Sequence, residues 1–389
     1  MRKKNLSLAY MILQQYLISF TPLFIMIKHI PKYFFLSLFF LSNAQKENPS
    51  SFIDVNTYSG NIARHNDNIT HLIHGHPNGF IIGWNKRISG KKTWHSRYNY
   101  PEFGASFVAQ NFNNSMLGSS YGLYGHYNFY FLKRRLMLRI AQGISYATNP
   151  YDKLKNPKNI AFGSDLLSGT YLMLNYVRPQ IFGPFGIQAG ATLLHLSNAN
   201  IKAPNTSINT VTFNVGLTAA LDSNKETKEI ETFNEDINKK IRFGLIFRTG
   251  VNQSDVVGTP QFPFYIFSAF AEKRLNPKSL VMIGGEFFNS KFLKEFIYYQ
   301  NVAYPESNVD NDLDYKRIGV YVGHELLFGR FSVQTQFGYY VYSPFDFEGL
   351  VYNRIGVKHY LTPKWFVSAT LKSHAAKAEA LEFSLGIRL

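Results

Sequence analysis

The sequence predicts an all-β fold: a transmembrane antiparallel β-barrel of about sixteen strands, with short turns at one end and longer loops at the other. Three observations predict it. Along many segments apolar and polar residues alternate one by one, which places every second side chain on the same face of a strand. Short turns and long connections succeed one another almost without a break in order, as they do when strands cross a bilayer back and forth. After residue 44 no segment holds the roughly 18 uninterrupted apolar residues of a membrane-crossing helix, so a spanning chain must span as a closed barrel.

The elements follow in order. Residues 28–44 read as a secretory signal: Lys28 and Lys32, an apolar run over 33–41, then Ser42, Asn43 and Ala44 where signal peptidase cuts. Cleavage leaves Gln45 first. Met26 alone would open a conventional signal, and the stretch before it reads as an over-extended start. Residues 45–389 then form a single barrel domain, since no internal repeat, low-complexity tract or linker divides them. The first strand is expected near 52–62. Short turns fall at 133–134, 181–184, 274–278, 329–330 and 362–364, and long connections at 149–165, 198–207, 253–261 and 289–314. The charged insert 222–239 breaks the pattern, and parity places it on the periplasmic side. The count gives about sixteen strands, or about fourteen if the N-terminal pair stays out of the wall.

Alternation is clearest late in the chain. Phe331, Val333, Phe337, Tyr339 and Val341 oppose Ser332, Gln334, Gln336 and Gly338; Trp365, Val367, Ala369 and Leu371 oppose Lys364, Ser368, Thr370 and Lys372. Thr335 and Phe366 break the rule. The last strand sets Leu381, Phe383, Leu385, Ile387 and Leu389 against Glu382, Ser384, Gly386 and Arg388, and an apolar final residue is common in outer-membrane barrels. The polar side is rich in Gly, Gln, Asn and Thr with scattered Lys and Arg, which suits a wet lumen.

Composition narrows the chemistry. The 389 residues include no cysteine, which excludes disulfides, thiolate catalysis and thiolate metal sites. Removing the first 44 residues lowers the formal charge from +16 to +11. For an exported chain the phosphates it meets are lipid headgroups or lipopolysaccharide, and nucleic acid is not the expected partner. No phosphate-cradling glycine loop is present.

The chemistry-bearing residues sit on one hairpin. At period 2, Phe185, Ile187, Ala189, Ala191, Leu193, His195 and Ser197 share a face, as do Asn209, Val211, Phe213, Val215, Leu217, Ala219 and Leu221 on the return strand. A hydroxyl, an imidazole and an amide able to orient it therefore share the apolar side. Parity runs the first of these strands outward, so His195 and Ser197 face the outer leaflet near the extracellular rim. Lipid A and outer-leaflet phospholipid are the esters found there.

The motif His195-Leu196-Ser197-Asn198 resembles that of PagL-type lipid A 3-O-deacylases, which carry His-x-Ser-Asn on a lipid-facing strand and a Glu on the next strand. Asn209 stands where that Glu is expected. Outer-membrane phospholipase A is similar in its His-x-Ser core and uses Asn as third member at this spacing. That family's calcium-binding residues do not transfer, since Asn200 and Asn205 stand where Arg and Ser would be expected; calcium enters only with the phospholipase reading, and no other cofactor is expected. The context from Asn149-Pro150-Tyr151-Asp152 through Lys202-Ala203-Pro204-Asn205 to the last strand resembles the larger deacylase-like barrels of Bacteroidetes. PagL-type enzymes have smaller barrels, so the resemblance leaves the extra strands without a role. It implies acyl transfer to water, with Ser197 as nucleophile, His195 as base, Asn209 orienting the imidazole, and Asn198 with a backbone amide steadying the oxyanion.

Plainer explanations accompany each feature. A Ser two residues from a His is common, and a strand that has already left the hydrocarbon would carry all three residues as rim polars. Lys153, Lys155, Lys158 and Lys202 would meet lipid A phosphates, or simply be solvated. His65, His71, His74 and His76 fit no tight metal-ligand pattern and read as loop histidines. His374 and Glu379 read as a structural contact rather than a second acid–base pair. A passive channel or structural barrel with a decayed site is the competitor from another class.

Overall fold

The computed structural model describes residues 51–88, 92–222, 237–375 and 377–389. The signal region and most of the 222–239 insert lie outside the described residues. Sixteen antiparallel strands are present: β1 (Ser51–Ile62), β2 (Asn78–Arg87), β3 (Glu102–Asn111), β4 (Ser119–Phe131), β5 (Leu136–Ala147), β6 (Leu166–Phe182), β7 (Phe185–Ser197), β8 (Ile208–Ala220), β9 (Arg242–Asn252), β10 (Phe262–Arg274), β11 (Ser279–Ser290), β12 (Arg317–Phe328), β13 (Phe331–Tyr342), β14 (Val351–Tyr360), β15 (Trp365–His374) and β16 (Lys377–Arg388). They close as two rings of eight, not as the one ring expected. β1 pairs with β8 from Phe52↔Ala220 to Ile62↔Thr210, and β9 pairs with β16 from Thr249↔Phe383 to Gly244↔Arg388. Along the chain, the 222–239 insert thus separates the strands of one barrel from those of the other.

An eight-stranded barrel has an interior just wide enough for side chains, and here polar side chains fill it. In the first barrel Arg139 is fully buried and bonds both carboxylate oxygens of Asp54, at 2.6 and 3.1 Å, while Asn85 and Asn128 take its remaining donors. In the second, Arg354 grips Glu382 through two nitrogens and reaches Glu286 at 2.9 Å; Lys358 pairs with Glu325, and Arg317 and Lys372 share Glu379. Buried charges persist when paired and hydrogen-bonded, so these networks pack the space expected to be wet. His374 lies 3.5 Å from Glu379 within the last of them, a structural contact. Phe366, an exception to the alternation, points inward under Lys358; a Cβ on Gly386 would lie 2.2 Å from its ring, so glycine makes its room.

The outer walls are apolar. On β8, Val211, Phe213, Val215 and Leu217 are exposed, as are Val320, Val322, Phe337, Tyr339 and Val341 on the second barrel. Such a band is stable facing acyl chains, not water. The outer mouths are capped. A 3-10 turn (Asp67–Leu72) buries Ile69 and Leu72 with Phe112, Leu117, Phe162, Leu196 and Ile208 over the first barrel. The expected 289–314 loop instead carries a helix, α2 (Lys291–Ala303), whose Phe292, Leu293 and Ile297 pack on Phe345 and Phe347. Two connections depart from the expected lengths: β15 and β16 join by a tight outer turn, and β2 and β3 by an inner segment bearing α1 (Thr93–Arg97).

The barrels touch at both ends. At the inner end Tyr98, just past α1, donates to the Leu327 carbonyl at 3.0 Å and packs on Phe328, with burial pushing its hydroxyl up to about 12. At the outer end the β7–β8 loop meets the β9–β10 loop. That junction lies beside the candidate site.

Candidate active site

Alternation on β7 and β8 brings the hairpin's polar residues together at its outer end. His195 and Asn209 are direct cross-strand partners, and the ring Nδ1 is 2.7 Å from the Asn209 Oδ1. An amide oxygen only accepts, so this bond puts the proton on Nδ1 and leaves the Nε2 lone pair to act as a base. Both residues are half-buried on the face that carries Leu193 and Val211, both exposed. Exposed Leu172 and Leu174 on β6 and Phe213 on β8 extend this apolar surface. A polar group beside lipid is costly when unpaired, and this bond pairs the ring Nδ1 with the amide oxygen.

Ser197 ends β7, two residues beyond His195, and is buried. Its Oγ donates to the Asn205 Oδ1 at 3.0 Å and accepts from the Ala199 amide at 3.0 Å. Among the described residues no hydrogen bond joins Ser197 to His195, so the imidazole and amide are assembled while the hydroxyl is turned toward the loop. Asn198 is buried: its backbone N–H donates to the same Asn205 oxygen at 2.9 Å, and its Nδ2 donates to the Lys202 carbonyl at 2.6 Å.

The surrounding loops are tied down by short polar bonds. Thr206 bonds the Ile160 carbonyl through both its amide and its hydroxyl, joining the 198–207 and 149–165 loops. His65 reaches the Thr206 carbonyl at 2.9 Å, His71 the Lys158 carbonyl at 2.8 Å, and His76 the Asn61 side chain at 2.7 Å. These histidines serve as loop ties. Among the described residues no group of three or more His, Cys, Asp or Glu has the arrangement of a metal site. Lys153, Lys155, Lys158 and Lys202 are exposed on the two loops flanking the site. Asp152 accepts from the Lys155 and Leu154 amides, which hold its carboxyl below the usual range and pin the turn that displays Lys153 and Lys155.

The sequence reading gave Asn205 no role beyond its mismatch to a calcium ligand, and it passed over Gln253. The signal for Asn205 was present as turn chemistry, an Asn after Pro204 in a loop that must reverse between paired strands.

Residues 78–218 match the family model "Lipid A 3-O-deacylase (PagL)", and residues 239–389 match "Acyloxyacyl hydrolase, C-terminal domain". The first match runs from β2 into β8 and the second spans β9 to β16, so each lies on one barrel. Both matches are to PagL-type models, one on each half of the chain. The chain is an ester hydrolase of the outer membrane, and the strands beyond a PagL-sized barrel are a second barrel with its own family signature. A crystal structure of the outer-membrane enzyme PagL aligns with 16% identity over 42% of this chain and 97% of its own, at a TM-score of 0.30. The Acinetobacter baumannii outer-membrane protein Omp33 aligns at 8% identity over 88% and 100% of the two chains (TM-score 0.18), and the KdgM porin at 8% over 87% and 97% (TM-score 0.18). No curated protein sequence matches the chain.

Proposed function

We propose that Ser197, His195 and Asn209 of this lipid A deacylase remove an ester-linked acyl chain from lipid A at the outer leaflet. The observation that carries the reading is the 2.7 Å bond from His195 to Asn209 on the outward apolar face. It orients the imidazole with Nε2 free, where an acyl chain lying along β6–β8 would bring its ester. The hydroxyl of Ser197 turns from Asn205 to His195. Its Oγ attacks the ester carbonyl as the proton passes to Nε2; the tetrahedral intermediate collapses, and the departing alcohol takes that proton. Water then repeats the sequence on the acyl-serine and releases the fatty acid. Asn198 retains one Nδ2 hydrogen and its backbone N–H to receive the oxyanion once the carbonyl oxygen displaces Asn205. Lys153, Lys155, Lys158 and Lys202 meet the phosphates of the glycolipid.

Asn at 209 instead of Glu favours one second reading, hydrolysis of outer-leaflet phospholipid. The two are separated by incubating the purified barrel with each lipid and weighing the products by mass spectrometry. Loss of one acyl chain from lipid A supports the first reading; release of fatty acid from phospholipid alone replaces it with the second.

A further inference from the structure

The first barrel carries all three proposed catalytic residues, yet the loop that follows its nucleophile is fastened to the second. Gln253, just past the outer end of β9, is buried and meets that loop at three points. Its amide donates to the Asn200 carbonyl at 3.1 Å, its carbonyl accepts from Asn200 Nδ2 at 3.2 Å, and its Oε1 accepts from the Ala203 amide at 3.0 Å. Its Nε2 donates to the Thr259 carbonyl, which fixes the side chain from behind. Gln261 adds a fourth tie, Nε2 to the Ile201 carbonyl at 2.7 Å.

The clamped residues lead straight to the reacting group. Ala199 and Asn200 hold left-handed backbone angles, φ 55° and 61°, uncommon for alanine and tolerated by asparagine. Asn200 is the residue that Gln253 grips twice. Two residues past Ala203, Asn205 places one amide oxygen on both the Ser197 hydroxyl and the Asn198 N–H. These are the nucleophile and a donor that an oxyanion needs. We infer that the second barrel acts as a clamp on the nucleophile loop, with Gln253 a positioning residue that sets Ser197 and Asn198 through residues 200–205.

This inference rests on the serine triad reading, and the experiment separates the two. Full-length Gln253→Ala, Gln261→Ala, Asn205→Ala and Gln253→Ala/Asn205→Ala proteins are purified in detergent alongside Ser197→Ala, with folding checked by heat-modifiable gel migration. Turnover of lipid A and the rate of serine labelling by a fluorophosphonate are both measured. Gln253→Ala should lower kcat on the order of 10- to 100-fold, the scale of a misplaced reacting group. KM should change by less than about twofold, because no lipid contact is removed. Labelling should slow in parallel, and the double variant should be no slower than the slower single variant, since both act through one loop. Gln261→Ala, at an exposed position, should show a smaller loss and decides the matter if Gln253→Ala does not fold. Normal kcat and labelling in a folded Gln253→Ala protein, or additive losses in the double variant, overturns the clamp while an inactive Ser197→Ala preserves the triad. An active, still-labelled Ser197→Ala overturns both.

Discussion

Replacing Asn209 by Leu removes the only side-chain acceptor bonded to the His195 ring among the described residues, at 2.7 Å, and leaves Nδ1–H facing an apolar group. In the transition state that N–H belongs to an imidazolium, and a hydrogen bond to a charged group contributes about 1.5–3 kcal/mol. At about 1.4 kcal/mol per factor of ten, kcat/KM should fall about 10- to 150-fold. The loss should sit in kcat, since the bond strengthens only as charge develops. Asn209→Glu places an anion beside the forming imidazolium and should raise kcat above the unmodified protein. The assay is deacylation of purified lipid A in mixed micelles, followed by mass spectrometry at several substrate concentrations. If both variants stay within about twofold of the parent, Asn209 is a rim residue and the triad loses its third member.

Other perturbations test the frame around the site. Arg139→Met strands Asp54 in the first barrel, which should cost about 3–5 kcal/mol and lower the thermal midpoint in detergent; adding Asp54→Asn should restore most of it, and an undiminished midpoint in the single variant would show that the ion pair does not hold the barrel. Purified protein in a planar bilayer should give no sustained ion conductance, because charged networks fill both lumens; steady single-channel steps would contradict that packing. Gln replacements at Lys153, Lys155, Lys158 and Lys202 together should raise KM for lipid A with kcat retained, and should lose that effect on a dephosphorylated substrate; equal KM values would make these lysines solvated loop residues.

Local pattern was readable and closure was not. The alternation of Leu193, His195 and Ser197 against Thr192 and Leu194, and of Asn209, Val211 and Phe213 against Thr210 and Thr212, follows from the two-residue period of a strand. It fixed the face of His195 and Asn209, and their pairing then follows from the hairpin register. Counting strands by turn parity likewise reached sixteen. Which strand β1 meets is a different question, decided by the long-range match of β1 with β8 instead of β16, and period and turn length are the same for either ring. The polar faces gave the same ambiguity: Gln, Asn and Thr with scattered Lys and Arg suit a wet lumen, and only the long-range partners, such as Asp54 for Arg139 and Glu286 for Arg354, show a packed one. The 289–314 segment was read as loop because its helix is packed by Phe345 and Phe347, far along the chain. Gln253 is illegible for the same reason, since it acts through a contact between loops that sequence spacing does not encode, whereas Asn205 acts within its own loop and shows only as turn chemistry.

The most direct test of the central claim is the lipid A mass spectrum of an outer membrane expressing either the unmodified chain or Ser197→Ala at equal, heat-modifiable levels. The substitution removes one hydroxyl at the end of β7 and leaves the strand ladder intact. The unmodified chain should yield lipid A lighter by one ester-linked acyl chain, and Ser197→Ala should yield the full-length species. Equal deacylation by both would show that Ser197 is not the nucleophile.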